Sequence, residues 1–189
     1  MLRAVMGSCL FAACVLAVPV CSPAQEMIHC LTGTISSVDA QSKTLTVLKD
    51  TGSEEVFHAL TDPKSRIVFD KRIEAESTAA HAFDKQGAYA IVFFFGIDDS
   101  RTAVAVKALG AGPFSSVAGV VIKFDHGHSI TVQDASGAQQ TIQISADTIA
   151  ETMMGATLGP KLDAHKGDHV RIVSSQANGA STALFVRDL

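Results

Sequence analysis

Apolar and polar positions alternate along most of this chain in short runs broken by turn residues. Thr44 to Val47, Ser129 to Val132 and Thr141 to Ile144 each place an apolar side chain at every second position, the period of a strand half buried on a sheet. Asp50-Thr51-Gly52 and Ala135-Ser136-Gly137 separate such runs, as residues that favour turns do. One segment has a different period. Ile73 to Lys85 is rich in Ala and Glu and sets Ile73, Ala80 and Phe83 on one helical face, which predicts a short helix covering a barrel end. The first residues differ again: a basic start at Arg3, an apolar run from Ala4 to Val20, then Ser22-Pro23-Ala24. That order predicts a secretory signal peptide over 1–24.

After it the pattern is stated twice. Gly33-Thr34-Ile35, Val38-Asp39, Leu45-Thr46-Val47 and Gly52 match Gly119-Val120-Val121, Phe124-Asp125, Ile130-Thr131-Val132 and Gly137. Phe57 and Ala59 match Ile142 and Ile144, Asp62 matches Asp147, and Phe83-Asp84 with Gly87 matches Leu162-Asp163 with Gly167. Thr102 to Leu109 aligns without a gap on Thr182 to Leu189. So many anchors in one order predict a duplication: one unit over 25–110, a linker over 111–116, and a second unit over 117–189. In the second copy Gly155, Gly159 and Pro160 predict a loop where the first has its helix. Each copy reads as about five strands with a variable insert after the third. The expected fold is all-β with one short helix, in two tandem five-stranded OB-like barrels, since closure removes exposed edges. A β-sandwich is the alternative.

Charge narrows the choice of partner. The chain has 15 basic and 19 acidic residues, for a net charge of −4, and losing Arg3 with the leader makes it more acidic. It has no Trp and one Tyr. An OB barrel that binds single strands needs basic residues interleaved with aromatics, so no nucleic-acid partner is expected. No second apolar stretch approaches the ~18 residues of a membrane span. The chain is therefore expected to be periplasmic or secreted.

Of four cysteines, Cys9, Cys14 and Cys21 fall in the leader. Cys21 raises lipidation, but Val20 before it fits that signal poorly, so cleavage after Ala24 is favoured. Cys30 then has no internal partner. It reads as a small buried hydrophobe, with a disulfide-linked dimer or a reactive thiol as the sharper alternatives. His29 is its neighbour, but successive strand residues face opposite ways, so no catalytic dyad is expected.

Aligning Gly87 with Gly167 compares the fourth strands. His169, Arg171, Val173 and Ser175 correspond to Tyr89, Ile91, Phe93 and Phe95. Copy one has an apolar stripe where copy two is largely polar. Tyr89, Ile91, Phe93 and Phe95 are therefore the candidate partner interface, to be covered by the helix, by the other repeat or by a second protein.

His126 and His128 share one turn, and His165 and His169 flank Lys166-Gly167-Asp168 with Asp163 nearby. Such pairs can ligate Cu²⁺, Ni²⁺ or Zn²⁺, but a tight site needs further ligands and a second shell. No bound metal or cofactor is expected. No nucleophile elbow, phosphate loop or dinucleotide fingerprint occurs, and Asp98-Asp99 reads as a turn. No enzymatic activity is expected.

The pattern Gly-x-Val-x-x-Phe-Asp, Ile-Thr-Val, Leu-Asp-x-x-Lys-Gly-Asp-x-Val, best seen at Gly119 to Asp125, Ile130 to Val132 and Leu162 to Val170, resembles exported bacterial domains of unknown function built as small OB-like barrels. Copy one departs from it at Gln86 and Ala88. Copy two is also similar to the periplasmic copper/silver chaperone barrel. That family binds its ion with a histidine and a Met-x-Met pair under a tryptophan, whereas this chain has adjacent Met153-Met154, Gln133 near the histidine position and no tryptophan. The resemblance implies a barrel and export, not the copper site. Together these readings lead to an exported non-enzymatic binding or envelope structural module; a periplasmic metal-binding protein using surface histidines is the alternative.

Overall fold

The structure is a computed structural model, and it describes residues 26–59, 72–77, 85–110, 112–177 and 179–189. The leader therefore lies outside the described residues. The first unit contains β1 (His29–Asp39), β2 (Thr44–Lys49), β3 (Glu54–Ala59), β4 (Glu76–Ser77), β5 (Tyr89–Phe95) and β6 (Thr102–Ala108). The second contains β7 (Phe114–Asp125), β8 (Ser129–Asp134), β9 (Gln139–Gln143), β10 (Ile149–Thr152), β11 (Gly155–Leu158), β12 (His169–Ala177) and β13 (Ala180–Asp188). Short 3-10 turns occupy Asp98–Ser100 and Gly159–Lys161.

Alternation becomes geometry directly. Leu45, Val47 and Phe57 point into the first barrel, and Ile130, Val132 and Ile142 into the second, while intervening residues face out. The first sheet runs β3-β2-β1-β5-β6 and closes where β3 lies parallel to β6, at His58–Thr102 and Ala59–Ala103. The second runs β9-β8-β7-β12-β13 and closes through the parallel pair Gln143–Thr182. This is the strand order of the OB barrel, not of a sandwich.

The two copies share their irregularities as well as their strands. β1 bulges at Ser36 and β7 at Ile122; β6 bulges at Val104 and β13 at Leu184. Gly87 N–H donates to Ile35 C=O at 2.8 Å, and Gly167 N–H to Val121 C=O at 2.9 Å. Gly33 and Gly119 each pass so close to the next strand that a Cβ would lie 2.4 Å from the carbonyl oxygen of Leu48 or Gln133. Bulges are features a fold keeps deliberately, so their recurrence at aligned positions is structural evidence for duplication.

Three expectations require correction. The region read as a helix enters as extended chain: Ile73 is buried, and Glu76–Ser77 forms β4, antiparallel to β6; residues 78–84 lie outside the described residues. The corresponding part of copy two is not a loop but the β10–β11 hairpin, with β10 parallel to β13. The cause is common to both. The closing strand runs past the short third strand and leaves an open edge, and the insert fills it. Finally, β7 begins at Phe114, inside the segment read as linker.

Candidate functional site

A third apolar cluster lies between the two barrel cores. β5 is buried on both faces: Ala90 and Val92 join the first core, while Ile91 and Phe93 face away into a layer shared with Ile149, Leu158, Val173 and Phe185 of the second unit. Tyr89 and Phe95 pack at its margin, half exposed. The Tyr89 ring stacks on Phe114, with centroids 5.1 Å apart and planes at 27°. Its hydroxyl donates to the Asp50 carboxylate at 2.8 Å, and Thr32 Oγ1 donates there at 3.0 Å. Burial raises the Tyr89 phenol above its ordinary value of 10.0; the Thr32 hydrogen bond opposes it, the Asp50 carboxylate adds to it, and Arg171 opposes it more weakly. Of the stripe, Tyr89 thus stacks on a residue of the second barrel, and Ile91 and Phe93 share its apolar layer, while Phe95 packs at the margin of that layer. The equivalent face of copy two enters the same layer through Val173, whereas its His169 is exposed.

One carboxylate crosses this seam. Glu151 of β10 is only 7 % exposed. Its Oε2 accepts from the Cys30 backbone N–H at 2.8 Å and from the Cys30 thiol at 3.3 Å; its Oε1 lies 2.6 Å from His29 Nδ1. His29 and Cys30 do face opposite ways, yet the two oxygens of one carboxylate reach both. Burial first, then the Glu151 charge and hydrogen bond, hold the Cys30 thiol well above its ordinary value of 9.0, with Arg187 opposing. A thiol so protonated is a hydrogen-bond donor and a poor nucleophile. Cys30 is 1 % exposed, so its sulfur is buried in the seam as a small hydrophobe would be. Glu151 escaped the sequence reading. Its only signal there is a charge in the apolar run Ile149-Ala150.

The hairpin carrying Glu151 has an opposite, open side. Its back is fixed to the first barrel: Ala156 N–H donates to Ile28 C=O at 2.7 Å, and a Cβ on Gly155 would lie 2.5 Å from that same oxygen. Its tip is ordered by Thr152, whose Oγ1 accepts from Met154 N–H at 3.1 Å and donates to Gly155 C=O at 3.1 Å. Met153 and Met154, at the tip, are 88 % and 82 % exposed. They stand over a cleft of about 420 Å³ lined also by Leu162, Ala164, Val170, Asp163, Asp168, Asp188 and Lys161.

The histidines occupy two separate turns. His126 and His128 are exposed at the β7–β8 turn, His126 beside the Phe124 ring. His165 is exposed, its N–H donates to Asp168 at 2.6 Å, and His169 opens β12. Among the described residues no group of three or more His, Cys, Asp or Glu side chains is arranged to hold a metal ion, and no helix is long and apolar enough to cross a membrane. No protein-family model matches the chain, and no curated protein shows significant similarity to it.

Proposed function

We propose that this chain is an exported, non-enzymatic binding module in which two OB-type barrels act as one body and present the cleft beside Met153 and Met154. One observation carries the reading: two long apolar side chains stand in solvent on a hairpin tip that is ordered by its own hydrogen bonds and braced from behind by the other barrel. Solvent-exposed methionines recur at adaptable protein-binding surfaces, and bracing reduces the ordering cost of binding. Ile91 and Phe93 of the copy-one stripe are used internally, whereas Met153 and Met154 are the most exposed large apolar side chains among the described residues. The leader sequence and the resemblance to exported barrel domains support export, with Gln25 as the expected first residue of the mature chain.

Isotope-labelled protein mixed with periplasmic extract tests this. Resonance shifts confined to residues 152–157, 161–164 and Asp188 are expected. Shifts centred on the β8–β9 face, or none at all, oppose the reading.

A further inference from the structure

The chemistry of the cleft specifies its occupant further. Its floor is closed by the core residues Leu162 and Val170, each 2 % exposed, and the apolar surface it presents comes from the thioethers of Met153 and Met154. Its rim carries three carboxylates, Asp163, Asp168 and Asp188, against the single ammonium of Lys161. The carboxylates are not equivalent. Asp168 accepts the His165 N–H at 2.6 Å, with the imidazole Nδ1 at 3.8 Å, whereas Asp163 and Asp188 are exposed. An occupant must therefore offer apolar side chains to the methionines and positive charge to the rim.

We infer that the cleft takes an amphipathic, basic segment of a partner protein, apolar on one side and carrying Lys or Arg along the other. This rests on the reading of the chain as a binding module and names the class of partner. Unbranched methionine side chains accommodate apolar groups of different shape, so the thioethers supply adaptable contact area. The acidic rim supplies orientation, and excludes acidic segments and anionic lipid by like-charge repulsion. The Met153-Met154 tip also begins two residues beyond Glu151, so its position is fixed by the same hairpin that spans the seam.

The experiment uses the whole chain with labelled methionine methyl groups, assigned through Met153→Leu and Met154→Leu. The probes are a short synthetic leucine–lysine amphipathic peptide, its leucine–glutamate counterpart, and anionic phosphatidylglycerol vesicles. The lysine peptide is expected to shift both methyl resonances, to bind more weakly at high salt, and to lose several-fold in affinity when Asp163→Asn and Asp188→Asn are combined. Both changes are at exposed positions, and an unchanged melting temperature confirms that the fold is intact. Equal shifts with the glutamate peptide would overturn the basic partner while leaving a binding cleft. Response to the vesicles alone would overturn it in favour of a lipid surface. No methyl response to any probe would overturn the inference outright, and the extract experiment then decides separately whether the chain binds elsewhere.

Discussion

Glu151 in the second barrel accepts the backbone N–H of Cys30 in the first at 2.8 Å, across a sequence separation of 121 residues. Burying a carboxylate is costly unless its lone pairs are engaged, and here both oxygens are. This contact links the folding of two units that each have a core of their own. Glu151→Ala would leave the Cys30 N–H buried without an acceptor, at a cost of about 1–3 kcal/mol. Glu151→Gln keeps a carbonyl for that N–H and should lose less. Urea unfolding should show one transition for the native chain and a lower midpoint in the order native, Gln, Ala. An unmoved midpoint in Glu151→Ala would remove the carboxylate from the account of the seam.

The Cys30 thiol has consequences at alkaline pH. An unfolded chain loses the thiol proton near 9.0, while the folded chain holds it to higher pH. Above that value the unfolded state binds fewer protons than the folded state, so stability falls as pH rises. The Tyr89 phenol, also raised in the folded state, acts in the same direction from about 10 upward. Stability should be level from pH 7 to 8.5, then decline, and Cys30→Ala should flatten the first part of that decline. Iodoacetamide should label Cys30 slowly in the native protein and quickly in urea. Rapid native labelling at pH 8 would contradict the buried, hydrogen-bonded thiol.

The duplicated close approach gives a matched pair of variants. A methyl group at Gly33 or Gly119 would meet a backbone oxygen at 2.4 Å, and a strand cannot yield as a flexible side chain can. Each alanine substitution should cost about 1–3 kcal/mol, the usual range for overpacking. Gly52→Ala meets no neighbour within 4 Å but sits at φ +82°, so it isolates the conformational cost from the steric one. Equal loss at Gly33 and Gly119, read from thermal melts, would show that the two barrels tolerate the same strain. A neutral Gly119→Ala would mean that β7 and β8 separate more easily than their ladder suggests.

Sequence pattern determines what happens inside one barrel and says little about what happens between two. Leu45, Val47, Ile130 and Val132 alternate with polar residues, so their strands and inward faces could be read directly. The insert could not. Ala and Glu favour a helix locally, but the unpaired edge of β6 offers Glu76–Ser77 backbone hydrogen bonds that only the assembled sheet provides. The same edge on β13 draws in β10, which is why glycines and a proline near it did not make a loop. The stripe on β5 was legible as a surface needing cover, because Tyr89, Ile91, Phe93 and Phe95 stand where copy two has His169, Arg171, Val173 and Ser175. What covers it was not legible: Ile149, Leu158 and Phe185 read equally well as members of the second core. Glu151 was invisible for the same reason. Its partners are adjacent to it only once the barrels have met.

The stripe therefore yields the most direct test of the seam. Ile91 and Phe93 are fully buried in the layer between barrels, and burying such a side chain contributes about 1.5–3 kcal/mol. The double change Ile91→Arg with Phe93→Ser makes this face polar. It puts a cation and a hydroxyl into an apolar layer, and leaves Ala90 and Val92, which serve the first core, in place. The expected result is loss of the shared transition: the barrels should melt separately, and proteolysis should cut near residues 110–113. Val56→Ser is the control, since Val56 is 53 % exposed on the outside of β3 and should change the melting temperature little. If the double variant kept the native melting temperature and single transition, Ile91 and Phe93 would contribute nothing to cohesion. Glu151, the Tyr89–Phe114 stack and the Ala156–Ile28 backbone hydrogen bond would then have to carry the cohesion.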